Sequence, residues 1–102
     1  MKNDTLLYAL GSAIRRLRDH KDYGLIKTIY QGLKEDGFDI TKVGGSEAEQ
    51  YLRMWLTYSF TAAISNSKDE DIKSFATEVL NEIRGNREYI EASFETFEQG
   101  EF

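Results

Sequence analysis

Residues 47–65, EAEQYLRMWLTYSFTAAIS, constrain the fold more than any other stretch of this 102-residue chain. Wound as a helix at about 100° per residue, they show one continuous polar strip, Gln50, Arg53, Thr57 and Thr61. Tyr51, Leu52, Met54, Trp55, Leu56, Tyr58, Phe60, Ala62 and Ala63 occupy the remainder of the circumference. A helix apolar over most of its surface is stable in water only when several neighbours cover it. The chain must therefore supply other helices around this one.

It has the means to do so. Proline is absent, so the commonest helix breaker is missing throughout. Leu6, Leu7, Leu10, Ala13, Ile14 and Leu17 recur at helical spacing after an Asn3-Asp4-Thr5 cap region, predicting a helix over 5–19. Leu25, Ile26, Ile29, Tyr30 and Leu33 predict a second over 23–36, with Gly37 placed for a left-handed C-cap. Between them and the central helix, FDITKVGG lacks periodicity, and Phe38, Ile40 and Val43 read as a plug folded back on the core. SEAE at Ser46–Glu49 and SKDE at Ser67–Glu70 each read as a capping box. They open helices over 47–65 and 69–84, the latter burying Ile72, Phe75, Ala76, Val79, Leu80 and Ile83 before Gly85. The expected architecture is a single all-α domain over 1–102, an antiparallel up-and-down bundle of four helices centred on the third.

The last sixteen residues, REYIEASFETFEQGEF, add a fifth element. After Arg87 they hold five Glu and five Tyr, Ile or Phe. Tyr89, Ile90, Phe94 and Phe97 fall on one side of a helical wheel, and Glu91, Glu95 and Glu98 share the other. A short amphipathic helix over 88–98 is expected. Its like charges at spacing three and four oppose it by about 0.2–0.5 kcal/mol per pair, so it needs its aromatic side docked. That side either closes the chain's own core or, with Phe102, faces a partner. Charge is divided in the same sense. Residues 1–45 carry eight Lys or Arg against six Asp or Glu, while residues 46–102 carry five against twelve.

Catalytic and cofactor signatures are missing from the pattern. No cysteine is present, which removes disulfides, zinc knuckles and thiol nucleophiles and suits a reducing cytoplasm. His20, the one histidine, stands at a helix end beside Asp19 and Asp22, which point different ways. KDEDIKSF lacks the central glycine and closing Glu of a calcium loop. KVGGSEAE sets glycines before a helix N-terminus, but Glu47 and Glu49 oppose a phosphate there and no P-loop lysine follows. The acidic half and the lack of a basic stripe argue against nucleic acid. No apolar run approaches the roughly 20 residues that span a bilayer. The expectation is a non-enzymatic protein with no cofactor or metal, working through protein contacts. Its candidate contact residues are Tyr89, Ile90, Phe94, Phe97 and Phe102 in the tail, with Tyr8 and Arg15 projecting from the polar side of the first helix, near Arg16 and Arg18.

Two stretches, KDYGLIKTIYQGLKEDGFDIT and YLRMWLTYSFTAAISNSKDEDIKSFATEVLNEIRG, together with the layout, resemble the small immunity proteins of class IIa bacteriocin producers, the enterocin A type. They span about half the chain. The resemblance implies a cytoplasmic antiparallel four-helix bundle that protects its host from a pore-forming peptide. It also implies action at a membrane sugar transporter engaged by that peptide, with the C-terminal part setting specificity. That role would fall on Tyr89, Ile90, Phe94, Phe97 and Phe102. The acidic C-terminal half departs from the pattern and would be repelled by an anionic membrane surface. Two other functions fit the same composition: a phage- or plasmid-encoded regulator that blocks a host protein, and a helical carrier holding a small apolar ligand among the aromatic residues of the third helix.

Overall fold

A computed structural model describes residues 3–42 and 44–85. Its described residues form four α-helices and no strand: α1 (Asp4–Asp19), α2 (Tyr23–Glu35), α3 (Glu47–Asn66) and α4 (Glu70–Arg84). The expected fifth helix over 88–98 lies outside the described residues, as does Val43 of the expected plug.

The start of each helix follows from one side chain. Asn3 accepts from the amide of Leu6, and Asp22 from that of Leu25. At α3 the expected capping box is complete. Ser46 Oγ accepts from Glu49 N at 3.2 Å, and Glu49 Oε1 accepts from Ser46 N at 3.4 Å. At α4 the expectation is corrected. Asp69, not Ser67, is the N-cap, accepting from the amides of Asp71 and Ile72, while Ser67 Oγ accepts from Asp69 N. A carboxylate at the positive end of a helix is a stronger acceptor than a hydroxyl, so the competition in SKDE goes to the acid.

The ends of α1 and α2 share one device. In each, the amides of the two residues after the cap turn back to carbonyls in the last turn: Lys21 N to Arg18 O and Asp22 N to Leu17 O, then Gly37 N to Lys34 O and Phe38 N to Leu33 O. This reciprocal pair requires a left-handed residue at its centre. Gly37 supplies it at φ 94° without strain, whereas Lys21 is held at φ 59° with a side chain attached.

α3 is the hub. Leu52, Leu56, Phe60 and Ala63 are buried on it, with Leu7 and Ile14 of α1, Ile26, Tyr30 and Leu33 of α2, and Ala76, Val79, Leu80 and Ile83 of α4. Tyr30, Phe60 and Phe75 meet edge to face with centroids 5.3–6.0 Å apart, which ties α2, α3 and α4 together. Phe38 and Ile40 are buried, as the plug reading expects. Leu6 and Leu25, placed on buried faces by periodicity alone, are instead 47% and 45% exposed.

Contacts with α1 advance along both helices in the same direction. Asp4 accepts from Ser46 Oγ at 3.2 Å, Tyr8 stacks on Tyr51, and Arg15 and Arg18 lie over Trp55. The close approach depends on Gly11, which is buried in α1. A β-carbon there would come within 2.5 Å of two ring carbons of Tyr51, whose hydroxyl pairs with Ser12 Oγ at 3.2 Å. Glycine in a helix interior costs about 1 kcal/mol relative to alanine, and here the vacancy seats an aromatic ring.

The unequal solutions at the two helix ends give the first expectation. Lys21→Gly relieves a left-handed side chain and should raise stability by about 0.5–1 kcal/mol, whereas Gly37→Ala should lower it by a similar amount. Urea unfolding followed by circular dichroism checks both.

Candidate functional site

Two side-chain clusters stand out, and they do different things. The first surrounds Arg53. On the sequence this residue reads as part of the polar strip of α3; in the structure it is 2% exposed. Its Nε donates to Asp39 O at 2.9 Å, Nη1 to Gly44 O at 2.9 Å and Nη2 to Glu49 Oε2 at 3.2 Å, with Phe38 beneath the guanidinium at 5.4 Å. The correction has a clear physical reason. The connection from α2 to α3 turns with Gly44 and Gly45 at φ 92° and 85°, leaving carbonyls that no helix satisfies. A planar guanidinium with five donors can serve two carbonyls and a carboxylate at once. Two other members of the strip bond to the helix backbone: the hydroxyls of Thr57 and Thr61 donate to the carbonyls one turn back, at 2.8 Å each.

Around Arg53 lies a polar recess of about 270 Å³, lined by Gly37, Phe38, Asp39, Lys42, Glu49 and Arg53. Its two cations face two acids, of which one oxygen of Asp39 and both oxygens of Glu49 already accept hydrogen bonds. Asp39 Oδ1 takes the Thr41 hydroxyl and amide at 2.7 and 2.9 Å, and Glu49 takes Ser46 and Arg53. Those Thr41 bonds, with smaller help from Arg53 and Lys42, hold the Asp39 carboxyl below its usual pKa. The recess is thus a charge-balanced knot that fixes a loop.

The second cluster lies on the seam between α1 and α3. Tyr8, 40% exposed, stacks on Tyr51 with centroids 5.3 Å apart. Tyr51 meets Trp55 edge on at 6.3 Å, and Trp55 meets Tyr58 at 5.5 Å. The guanidiniums of Arg15 and Arg18 both lie over the Trp55 ring, at 5.1 and 4.9 Å from its centroid. Arg15 is exposed, and Arg18 pairs with its neighbour Asp19 at 3.1 Å. Trp55 is buried, and among the described residues its indole N–H has no acceptor; one turn on, the buried Ser59 hydroxyl likewise has no partner among them. Partial desolvation, then the carboxylates of Glu47 and Asp4, raise the pKa of the Tyr8 phenol.

The structure therefore brings two candidates of the sequence together and revises how they are held. Tyr8 and Arg15 are exposed as expected, but they do not project away from the bundle. Each leans on an aromatic ring of α3. Tyr89, Ile90, Phe94, Phe97 and Phe102 lie outside the described residues. Sequence reasoning missed the contribution of Gly11, Ser12, Tyr51 and Arg18; the signal for it was glycine in the middle of an otherwise strong helix. Among the described residues no three His, Asp or Glu converge as a metal site, and no helix is long and apolar enough to cross a membrane.

No protein-family model, curated protein or solved structure matches the chain.

The Arg53 cluster makes a quantitative statement about stability. Arg53→Leu leaves two loop carbonyls and Glu49 without their donor and should cost about 3 kcal/mol, while Arg53→Lys, with no fork to span the three acceptors, should recover less than half. Chemical denaturation of the two variants beside the parent measures this. Equal stability of all three would show that the loop does not depend on the guanidinium.

Proposed function

We propose that the chain is a non-enzymatic immunity or inhibitor protein, acting by contact with a protein partner in the cytoplasm as an up-and-down antiparallel bundle. The observation that carries this reading is the α1–α3 seam. An exposed Tyr and an exposed Arg are there held in fixed positions by aromatic rings beneath them. Tyrosine, tryptophan and arginine are the side chains most enriched at binding hot spots. Holding them rigid before the partner arrives reduces the side-chain entropy lost on association, about 0.5–1.5 kcal/mol for each immobilised side chain. The seam's groups are phenols, guanidiniums, an indole and the nearby carboxylates of Asp4 and Glu47, side chains suited to contact.

The kind of partner follows from the resemblance to bacteriocin immunity proteins: a membrane transporter already engaged by a class IIa peptide. The C-terminal residues Tyr89, Ile90, Phe94, Phe97 and Phe102 then set which peptide is recognised, and the seam supplies the second, rigid part of the contact surface. Charge on both parts favours steering and selectivity over raw affinity.

The test is protection. The full chain expressed in a strain sensitive to a class IIa peptide should raise the dose needed to kill. Tyr8→Ala with Arg15→Glu should lose about tenfold or more of that protection, the equivalent of roughly 1.4 kcal/mol, with an unchanged circular dichroism spectrum. Removal of residues 88–102 should abolish protection while leaving a folded helical protein. Failure of the parent chain to protect against any peptide of this class would remove the reading, and full protection by the double variant would remove the seam from it.

A further inference from the structure

The α1–α3 seam carries opposite charge at its two ends. At the start of α1, Asp4 and Glu47 are both exposed, and the Tyr8 phenol donates to the Glu47 carboxylate. At the other end, Arg15 and Arg18 lie over the Trp55 ring. Positions 4, 8, 15 and 18 of α1 follow one another at helical spacing, so acid, aromatic ring and guanidiniums form a single line. Fourteen residues separate Asp4 from Arg18, about 21 Å along the helix axis. α3 fixes each group in this line. Asp4 accepts from Ser46 Oγ at 3.2 Å, Tyr8 stacks on Tyr51, and the indole holds both guanidiniums. A rigid line of this kind can select an occupant by the order of its charges as well as by their sign.

We infer that the seam receives an amphipathic helix of the partner protein, running antiparallel to α1. Its first turns set carboxylates over Arg15 and Arg18, its middle lays an apolar side chain against Tyr8, and its last turns bring cations to Asp4 and Glu47. The direction follows from the helix dipole. Acids are favoured in the first turn of a helix and cations in the last. Laid antiparallel to α1, such a helix meets the opposite charge at each end. A parallel helix would have to carry its charges against its own dipole to make the same pairs. A surface of one sign fits less well. An anionic membrane or a phosphate backbone attracts the Arg15 end but repels Asp4 and Glu47 at the other. Tyr8, 40% exposed, supplies the aromatic contact between the two charged ends. This inference rests on the contact reading above and names the chemistry of the segment that the seam would take.

The experiment uses the full chain and a synthetic peptide, with no toxin or transporter present, so it can fail while protection stands and succeed while protection fails. The probe is an alanine-based helical peptide of about eighteen residues, roughly 27 Å long. It carries glutamates in its first two turns, a phenylalanine at its midpoint and lysines in its last two turns. In about 20 mM salt it should shift the NMR signals of the Tyr8, Ser12 and Arg15 amides and of the Trp55 indole, the sole tryptophan, with half-saturation on the order of 100 μM. Affinity should fall about tenfold in roughly 1 M salt, where the Debye length is about 3 Å. A nitroxide at the N-terminus of the peptide should attenuate the amides of Arg15 and Arg18 more than those of Leu6 and Tyr8, and one at its C-terminus the reverse. Glutamine in place of the peptide's glutamates, which leaves the protein unaltered, should weaken binding by about tenfold. Arg15→Gln with Arg18→Gln should do the same with an unchanged circular dichroism spectrum. Absence of saturable shifts, equal affinity for the glutamine peptide, or the opposite pattern of attenuation overturns the inference. So does a response of the same amides to phosphatidylglycerol vesicles but not to the peptide, which would make the seam a lipid contact.

Discussion

The close approach of α1 to α3 at Gly11 is the constraint on which the remainder depends. With no side chain at this position the Tyr51 ring fits against the α1 backbone, and its hydroxyl reaches Ser12. Tyr51 so placed gives Tyr8 a ring to stack on, and one turn later Trp55 receives Arg15 and Arg18. A β-carbon at position 11 would push the helices apart by more than ordinary side-chain adjustment absorbs, because the obstacle is a rigid ring rather than the end of a flexible chain. The core and the exposed seam are thus set by the same contact. On one side of it Leu7, Ile14, Leu52 and Leu56 exclude water, and on the other Tyr8 and Arg15 meet it.

The second fixed point is Arg53. It holds the connection between α2 and α3 by carbonyls at Asp39 and Gly44, and that connection carries Phe38 and Ile40 into the core. Its charge is compensated by Glu49 of the α3 capping box, so the helix start and the loop are stabilised by one network. Burying an ion pair contributes little net stability compared with an apolar isostere, but it selects one arrangement of the loop over others. The seam and the knot together commit Ser12, Asp39, Glu49, Tyr51 and Arg53 to structural contacts, while Tyr8, Arg15 and Arg16 keep exposed surface.

Much of this was legible in the sequence. Helical spacing of apolar residues marks all four helices, and the Ser46–Glu49 box marks the start of α3. What was not legible has specific causes. Arg53 lies on the polar strip of a helical wheel, and a wheel cannot distinguish a guanidinium facing water from one facing carbonyls of a loop whose path is unknown. Asp69 and Ser67 both qualify as caps, and only the geometry of the connection decides between them. Gly11 reads as a weak point of α1 until the ring opposite is known, since its role is defined by a residue forty positions away. Tyr8 and Arg15 were identifiable as exposed, while the rings that hold them belong to the helix that periodicity assigns wholly to the core.

The dependence of the seam on Gly11 is tested most directly by a thermodynamic cycle of Gly11→Ala and Tyr51→Ala, each alone and together, in urea unfolding. Alanine at position 11 should destabilise the parent by about 1–3 kcal/mol through overpacking, yet cost nothing or help once the ring is gone, leaving a coupling of about 1 kcal/mol or more. Additive effects, within about 0.5 kcal/mol, would mean that glycine and ring do not meet and that the two helices are spaced by something else.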